Sequence, residues 1–191
     1  DLGSVNRLLL RKFLAFLKNQ NYSRTTIARK LVAIRSIYKF LCREGILECN
    51  PVENIRTPKL NRNLPVFMSV NETEMLLNLP DSHTVPGMRD KAIMETLYST
   101  GMRVSELVGL DIADVDFLNE VVKVKGKGKK ERLTPIGNHA LHAVQLYMEK
   151  RGSENKALFL NKRGGRLTDR SVARMLEKYV KKAGLNHKIS P

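Results

Sequence analysis

Tyr98-Ser-Thr-Gly-Met-Arg103-Val-Ser-Glu106-Leu-Val-Gly-Leu110 reads as the end of one helix, a glycine turn and the start of the next. Gly101 can take the left-handed conformation that closes a helix. Val104, Leu107, Val108 and Leu110 have the spacing of a buried face, so the framework is expected to hold the Arg103 guanidinium rather than leave it loose in solvent. A second stretch, Val121-Val-Lys-Val-Lys-Gly126-Lys127-Gly128-Lys-Lys-Glu-Arg132-Leu-Thr-Pro135, reads as a β-hairpin. Val121, Val122 and Val124 favour one strand, Leu133 and Ile136 point to its partner, and Gly126-Lys127-Gly128 makes the turn. Lys127 is expected on a mobile tip, flanked by Lys125, Lys129, Lys130 and Arg132.

A planar guanidinium grips two phosphate oxygens at once, and a lysine ammonium can give up a proton where its pKa is lowered. Each feature also has a plainer reading. An Arg at a helix start is commonly a surface or salt-bridged residue, and a Lys-Gly repeat is commonly a solvated turn. Taken together they suit chemistry on a nucleic-acid phosphodiester. The charge agrees: among 191 residues, 34 Lys and Arg stand against 19 Asp and Glu, a net +15, which points to a polyanionic partner, nucleic acid before membrane. No apolar run is long enough to span a bilayer, and no secretory leader is visible. Cys42 and Cys49 are too few for a disulfide framework, which fits a reducing cytoplasm. His83, His139, His142 and His187 are scattered and pair with no Cys at ligand spacing, so no metal is expected.

Residues 4–20 form a first amphipathic segment, with Leu8, Leu9, Phe13, Phe16 and Leu17 at helical spacing. Ser23 or Thr25 can cap the next helix, residues 24–43, where Ile27, Leu31, Ile34, Tyr38 and Leu41 make one narrow apolar stripe. Arg24, Arg29, Lys30, Arg35, Lys39 and Arg43 are its cations, with no acid between Ile27 and Arg43. They form a candidate phosphate-facing surface, the alternative being a merely solvated face. Asn50-Pro51, Pro58 and Pro65 punctuate a linker that carries Arg56, Lys59 and Arg62. Upstream of residue 65 there are 13 basic and 4 acidic residues, against 21 and 15 downstream, so the smaller N-terminal piece is the more basic. Ser69-Val-Asn-Glu72 is a capping box that opens a second domain. Pro80 and Pro86 bound a loop before a helix from Met88 to Tyr98. A short strand is expected within 111–119, a helix near 138–151, and a Thr168-capped helix from Asp169 to about Lys182 closed by Gly184. The expected fold is mainly α in two domains: a helical domain over 1–57, a linker over 58–68, and a mixed α/β domain over 69–191 with a small three-stranded antiparallel sheet.

Leu97-Tyr-Ser-Thr-Gly-Met-Arg-Val-Ser-Glu-Leu-Val-Gly-Leu110 resembles the first catalytic-arginine box of the tyrosine recombinases, specifically the bacterial Xer-type recombinases. Gly126-Lys-Gly-Lys-Lys-Glu-Arg132 resembles their catalytic-lysine hairpin. The likeness extends through Thr26-Ile-Ala-Arg-Lys-Leu31, Glu44-Gly-Ile-Leu47, Asn50-Pro51, Pro58-Lys59 and Leu64-Pro65, nearly the whole chain. It implies a SAM-like core-binding domain followed by a catalytic domain, and site-specific DNA recombination through a 3′-phosphotyrosyl intermediate. Arg103 would stabilise charge on the phosphate, Lys127 would be the general acid, and Glu106 would orient the arginine or a neighbour, the alternative being that it only complements the helix start. Duplex DNA is the implied partner, with identical or sister recombinases in a tetramer, and no cofactor is required. The job would be chromosome-dimer resolution or mobile-element integration, in the cytoplasm.

The resemblance also implies a His-x-x-Arg box and a nucleophilic Tyr that should come after Pro191. Tyr22, Tyr38, Tyr98, Tyr147 and Tyr179 all read as packing or surface residues. The chain is therefore expected to be a fragment that binds DNA without cleaving it. One rival is a non-catalytic DNA-binding regulator built on residues 24–43, where Thr26-Ile-Ala-Arg-Lys-Leu31 has a flavour of helix-turn-helix recognition. Another is a basic RNA-binding protein, which aromatics at 6% and the absence of Trp disfavour. If the basic helix, linker and hairpin neutralise on the order of six phosphates, affinity for duplex DNA falls about 10³-fold or more between roughly 50 and 200 mM salt. A flat salt titration by fluorescence anisotropy would remove this electrostatic reading.

Overall fold

In the computed structural model the described residues are 2–53, 55–59, 67–126, 128 and 130–185. Arg62, Lys127, Lys129 and His187 lie outside them. The chain divides into two compact units, Asp1–Leu64 and Pro65–Pro191.

The first unit has a 3₁₀ turn at Leu2–Ser4, helix α1 (Arg7–Asn19) and helix α2 (Arg24–Arg43). Asn6 caps α1, its side chain accepting from the Leu9 N–H at 2.9 Å. Ser23, one of the two expected candidates, caps α2 by accepting from the Thr26 N–H at 3.1 Å. Leu10, Leu31, Tyr38, Val52 and Ile55 form the core, with Leu14, Ile34 and Leu41 packed against it. The α2 stripe is thus as expected, whereas of the α1 stripe Leu17 is buried as expected but Leu8, Leu9 and Phe16 are not. Leu10, Leu14 and Leu17 face inward, while Leu8, Leu9 and Phe16 are at least half exposed. This helix carries more apolar residues than one face can bury, and periodicity alone does not choose between adjacent stripes.

The second unit opens with the expected capping box. The Ser69 N–H donates to Glu72 Oε2 at 2.7 Å and the Glu72 N–H to Ser69 Oγ at 3.2 Å, starting α3 (Val70–Leu77). Helix α4 (Val85–Thr100) begins three residues before the expected Met88. Pro86 falls inside its first turn, where an N–H has no intrahelical partner to lose. Gly101, at φ +59°, closes α4 and lets the chain turn into α5 (Val104–Gly109). A 3₁₀ turn at Ile112–Asp114 leads to β1 (Val115–Asp116), β2 (Val121–Lys125) and β3 (Glu131–Pro135), then α6 (Asn138–Lys150) and α7 (Asp169–Lys182). The sheet is antiparallel in the order β1-β2-β3, with Val115 opposite Val122 and Val124 opposite Arg132. Val115, Val122 and Val124 make its buried face. Leu133 does not contribute: it pairs with Lys123 on the outer face and is 68% exposed, and Ile136 supplies the buried apolar group instead.

Three arginines hold this unit's loops by their carbonyl oxygens. Arg166 donates to the Val108 and Leu110 carbonyls, both at 2.9 Å, and to the Asp111 carboxylate. It satisfies acceptors that the end of α5 leaves without helical partners. Arg151 donates to the carbonyls of Ser153, Asn155, Ala157 and Leu158. Arg89 ties the Leu160 carbonyl, at 3.0 Å, to Asp90.

Two glycine substitutions should move stability in opposite directions. A Cβ on Gly87 would sit 1.9 Å from the Asp81 carbonyl oxygen, so Gly87→Ala is expected to destabilise the second unit by about 1–3 kcal/mol, the cost of overpacking. A Cβ on Gly109, in a right-handed helical position, meets nothing within 4 Å. Gly109→Ala is therefore expected to stabilise by about 0.4–1 kcal/mol through the unfolded chain's lost freedom. Urea denaturation followed by circular dichroism reads both signs.

Candidate active site

Arg103 is the N-cap residue of α5, in extended conformation at φ −70° and ψ 151°. An arginine has no acceptor with which to cap, and the missing half of the cap is supplied in reverse. The Glu106 carboxylate Oε2 accepts from the Arg103 backbone N–H at 2.9 Å. Glu106 is buried, its side chain 5% exposed, and Arg132 from β3 meets it with a two-pronged ion pair: Nη1 to Oε1 at 3.0 Å and Nη2 to Oε2 at 2.8 Å. The Arg132 hydrogen bonds and charge, together with hydrogen bonds from the Arg103 N–H and guanidinium, outweigh burial and hold the Glu106 carboxyl down to about 2. Arg103 Nη1 approaches Glu106 Oε1 only at 3.3 Å, and the Arg103 side chain is 79% exposed. The expectation of a firmly held guanidinium is corrected here: the backbone is fixed and the side chain stands in solvent. The reason is that the buried carboxylate already has a closer partner in Arg132.

The hairpin is pinned at its other strand too. Lys125 Nζ donates to Asp114 Oδ1 at 3.2 Å and Oδ2 at 3.4 Å, and Asp114, buried, also accepts from the Asp111 N–H at 2.9 Å. The Gly126 N–H donates to the Lys130 carbonyl at 2.8 Å, closing the loop on which Lys127 and Lys129 lie in sequence. Lys127, expected to be the general acid, and Lys129 are outside the described residues, so their placement is not part of this geometry. Of the hairpin cations expected to face DNA, Lys125 and Arg132 are committed to carboxylates, and Lys130 is exposed.

In α2 the expected cations divide in the same way. Arg24, Arg29 and Lys39 are exposed, as is Lys59 beyond the helix. Lys30 lies with Nζ 5.4 Å from the Tyr22 ring centroid, and Arg43 pairs with Glu44 at 3.1 Å. Arg35 turns back: Nη1 donates to Thr57 Oγ1 at 2.7 Å and Nη2 to the Ile55 carbonyl. It fastens the segment after α2 to the helix instead of facing outward. Arg62 is outside the described residues. No sequence signal separates Arg35 from its neighbours, because its partners are 20 and 22 residues away.

The tyrosines stand as packing and surface groups. Tyr38, Tyr147 and Tyr179 are buried. The Tyr179 hydroxyl donates to Asp90 Oδ2 at 3.0 Å, and burial, with the Asp90 charge, pushes its pKa up to about 12. A phenol so placed resists becoming the phenolate that attacks phosphorus. The Tyr147 hydroxyl accepts from the Leu160 N–H at 3.2 Å. Tyr98 lines a groove between α3, α4 and α6, and Tyr22 is 46% exposed. Sequence reading missed the Asp90–Tyr179 and Lys125–Asp114 pairs, both set by long-range packing.

Residues 66–191 match the Phage integrase family, and residues 1–45 match the phage integrase N-terminal SAM-like domain. The chain is 45% identical, over 198 residues, to the tyrosine recombinase XerC of Syntrophus aciditrophicus (strain SB), covering 98% of this chain and 64% of that protein. It is 42% identical to the tyrosine recombinase XerC of Pelotomaculum thermopropionicum, covering 99% of this chain and 65% of the relative. It thus spans just under two thirds of the length of these relatives. Among solved structures, the XerA recombinase superposes with a TM-score of 0.61 at 28% identity, over 99% of this chain and 66% of that one. The Tn1549 transposon integrase in complex with circular intermediate DNA superposes at 0.78 and 21%, over 100% and 68%. The XerH site-specific recombinase bound to a palindromic difH substrate superposes at 0.78 and 22%, over 97% and 57%. At such identities the last two speak for the fold alone. With a family match across the whole second unit and Xer-type tyrosine recombinases as relatives, the chain belongs to the phage integrase family.

Proposed function

We propose that this chain works in site-specific DNA recombination by strand cleavage and rejoining through a 3′-phosphotyrosyl intermediate. Residues 1–57 serve as the DNA-binding part, residues 58–68 as a linker and residues 69–191 as the catalytic part. The observation that supports this most is Arg103: its backbone is locked at the start of α5, its guanidinium is 79% exposed with a single 3.3 Å bond to Glu106, and it stands beside a hairpin tied to the same carboxylate. In the reaction a tyrosine oxygen bonds to phosphorus as the bond from phosphorus to the 5′-oxygen breaks. Arg103 offsets the negative charge gathering on the non-bridging oxygens. Lys127 gives its proton to the departing 5′-oxygen. The phosphotyrosine keeps the bond energy, so rejoining reverses the step on a partner strand with no cofactor consumed.

The XerH structure is bound to a difH substrate, the Tn1549 integrase structure is in complex with circular intermediate DNA, and a lambda integrase structure is a dimer bound to a core site. That supports duplex DNA as the partner and a multimer of recombinases, identical or sister, on the DNA. No helix of the described residues is long and apolar enough to cross a membrane. The non-catalytic regulator built on α2 is not favoured, because it leaves the Arg103 and hairpin arrangement of the second unit without a task.

In the gene's full product, Arg103→Ala and Lys127→Ala are each expected to slow cleavage of a nicked suicide substrate by about 10²–10³-fold while duplex affinity changes little. A substrate with sulfur at the leaving 5′ position should restore Lys127→Ala, since a thiolate departs without a proton, and leave Arg103→Ala impaired. The opposite pattern would reverse the two roles. Residues 1–191 alone should bind the same duplex without forming a covalent band on a denaturing gel, and a band mapped to any of the five tyrosines would refute this reading.

A further inference from the structure

Glu106 presents an electrostatic difficulty that the proposed chemistry does not address. A buried carboxylate 3.3 Å from the guanidinium of Arg103 is positioned to cancel the charge that a phosphate would need. Glu106 cannot simply be dispensed with, because it also holds the Arg103 N–H at the start of α5. We propose that Arg132 is a positioning residue: by occupying Glu106 with a two-pronged ion pair, it leaves Arg103 uncompensated and free to bind the scissile phosphate. This rests on the assignment of Arg103 as the phosphate-binding arginine.

The distances rank the two arginines. Arg132 reaches both carboxylate oxygens, at 3.0 and 2.8 Å, in the planar fork that suits guanidinium and carboxylate. Arg103 reaches one oxygen with one nitrogen, at the longer 3.3 Å, and its Nε and Nη2 have no partner among the described residues. Glu106 and Arg132 therefore sum to a neutral pair, and the positive charge of Arg103 is left over. Among the described hairpin residues, Lys125 is engaged with Asp114 at 3.2 Å rather than with Glu106. The hairpin backbone closes over the pair at Gly126, where an added Cβ would lie 3.6 Å from both Glu106 Oε1 and Arg132 Nη1. Remove Arg132, and Arg103 is the cation that, among the described residues, stays hydrogen-bonded to the buried carboxylate; it would swing inward to satisfy it. Arg132 thereby leaves the group of cations expected to face DNA, since both its terminal nitrogens are used.

The test uses the gene's full product, a nicked suicide substrate at saturating protein, and a separate measurement of duplex affinity. Arg132→Gln should lose about 10²-fold in single-turnover cleavage, the scale of losing one preorganised transition-state charge, with affinity within about threefold. The double variant Glu106→Gln with Arg132→Gln removes both charges together and should recover most of the rate. Arg132→Lys keeps the compensating charge without the fork and should fall between wild type and Arg132→Gln. It also provides a readout should Arg132→Gln fold poorly. A leaving-group sulfur should not rescue Arg132→Gln; rescue would place the defect in proton delivery and overturn the inference. A double variant no better than the single would likewise overturn it, leaving Arg132 as scaffold only. If Arg103→Ala is inactive while Arg132→Gln is fully active, the inference fails and the assignment of Arg103 stands. If Arg103→Ala itself cleaves normally, both fail.

Discussion

A carboxylate withdrawn from water must be matched by donors on every side, and in this chain that demand falls on Glu106. Its two oxygens accept from the Arg103 N–H, the Arg103 guanidinium and both terminal nitrogens of Arg132. Those donors come from the start of α5 and from β3, separated by 26 residues in the case of Arg132. Leaving a buried charge unpaired costs several kcal/mol, so the hairpin and the helix start are held together by necessity. The fully buried Leu107, next in sequence, sets α5 against the apolar core. The polar and apolar demands on this short helix thus fix the same orientation.

The surplus of cations is not a uniform coat. Arg35, Arg151 and Arg166 spend donors on carbonyl oxygens, Arg89 and Arg132 on buried carboxylates, and Lys125 on Asp114. A guanidinium suits this use because its five donors fan out in a plane and it stays charged at any ordinary pH. Bonding to a carbonyl leaves the positive charge in place, so these residues still contribute to the long-range field while being unable to grip a phosphate. The side chains left for direct contact are fewer, and Arg24, Arg29, Lys39, Lys59 and Lys130 are the clearest among them.

Local rules made most of the framework legible. The Ser69–Glu72 box, the Ser23 and Thr168 caps, the left-handed Gly101 and the alternation of Val122 and Val124 each depend on neighbours a few residues away, and each is realised. The readings that failed needed information from afar. Which stripe of α1 packs is decided by α2 and by Val52 and Ile55, and the outward turn of Leu133 is decided by the register with β2. At the site, the sequence could place Arg103 at a helix start but not know that Glu106 would prefer Arg132. Ion pairing across the fold has no period and no spacing, so the partition of cations into free and committed ones appears only once the chain is folded.

The position of Arg103 carries one more implication. Its main chain is fixed by an extended conformation, by the N–H held on Glu106, and by a carbonyl that accepts from Glu106 and Leu107, both at 2.9 Å. Its side chain, 79% exposed, adds only a 3.3 Å bond to a carboxylate that Arg132 already holds more closely. Folding therefore depends on Gly101, Glu106 and Leu107 but is almost indifferent to which side chain stands at 103. Any selection for arginine there must come from outside the folded chain. In a copy of the gene released from its task, residue 103 should drift early while its scaffold persists, so this one position would record whether the protein is still in use.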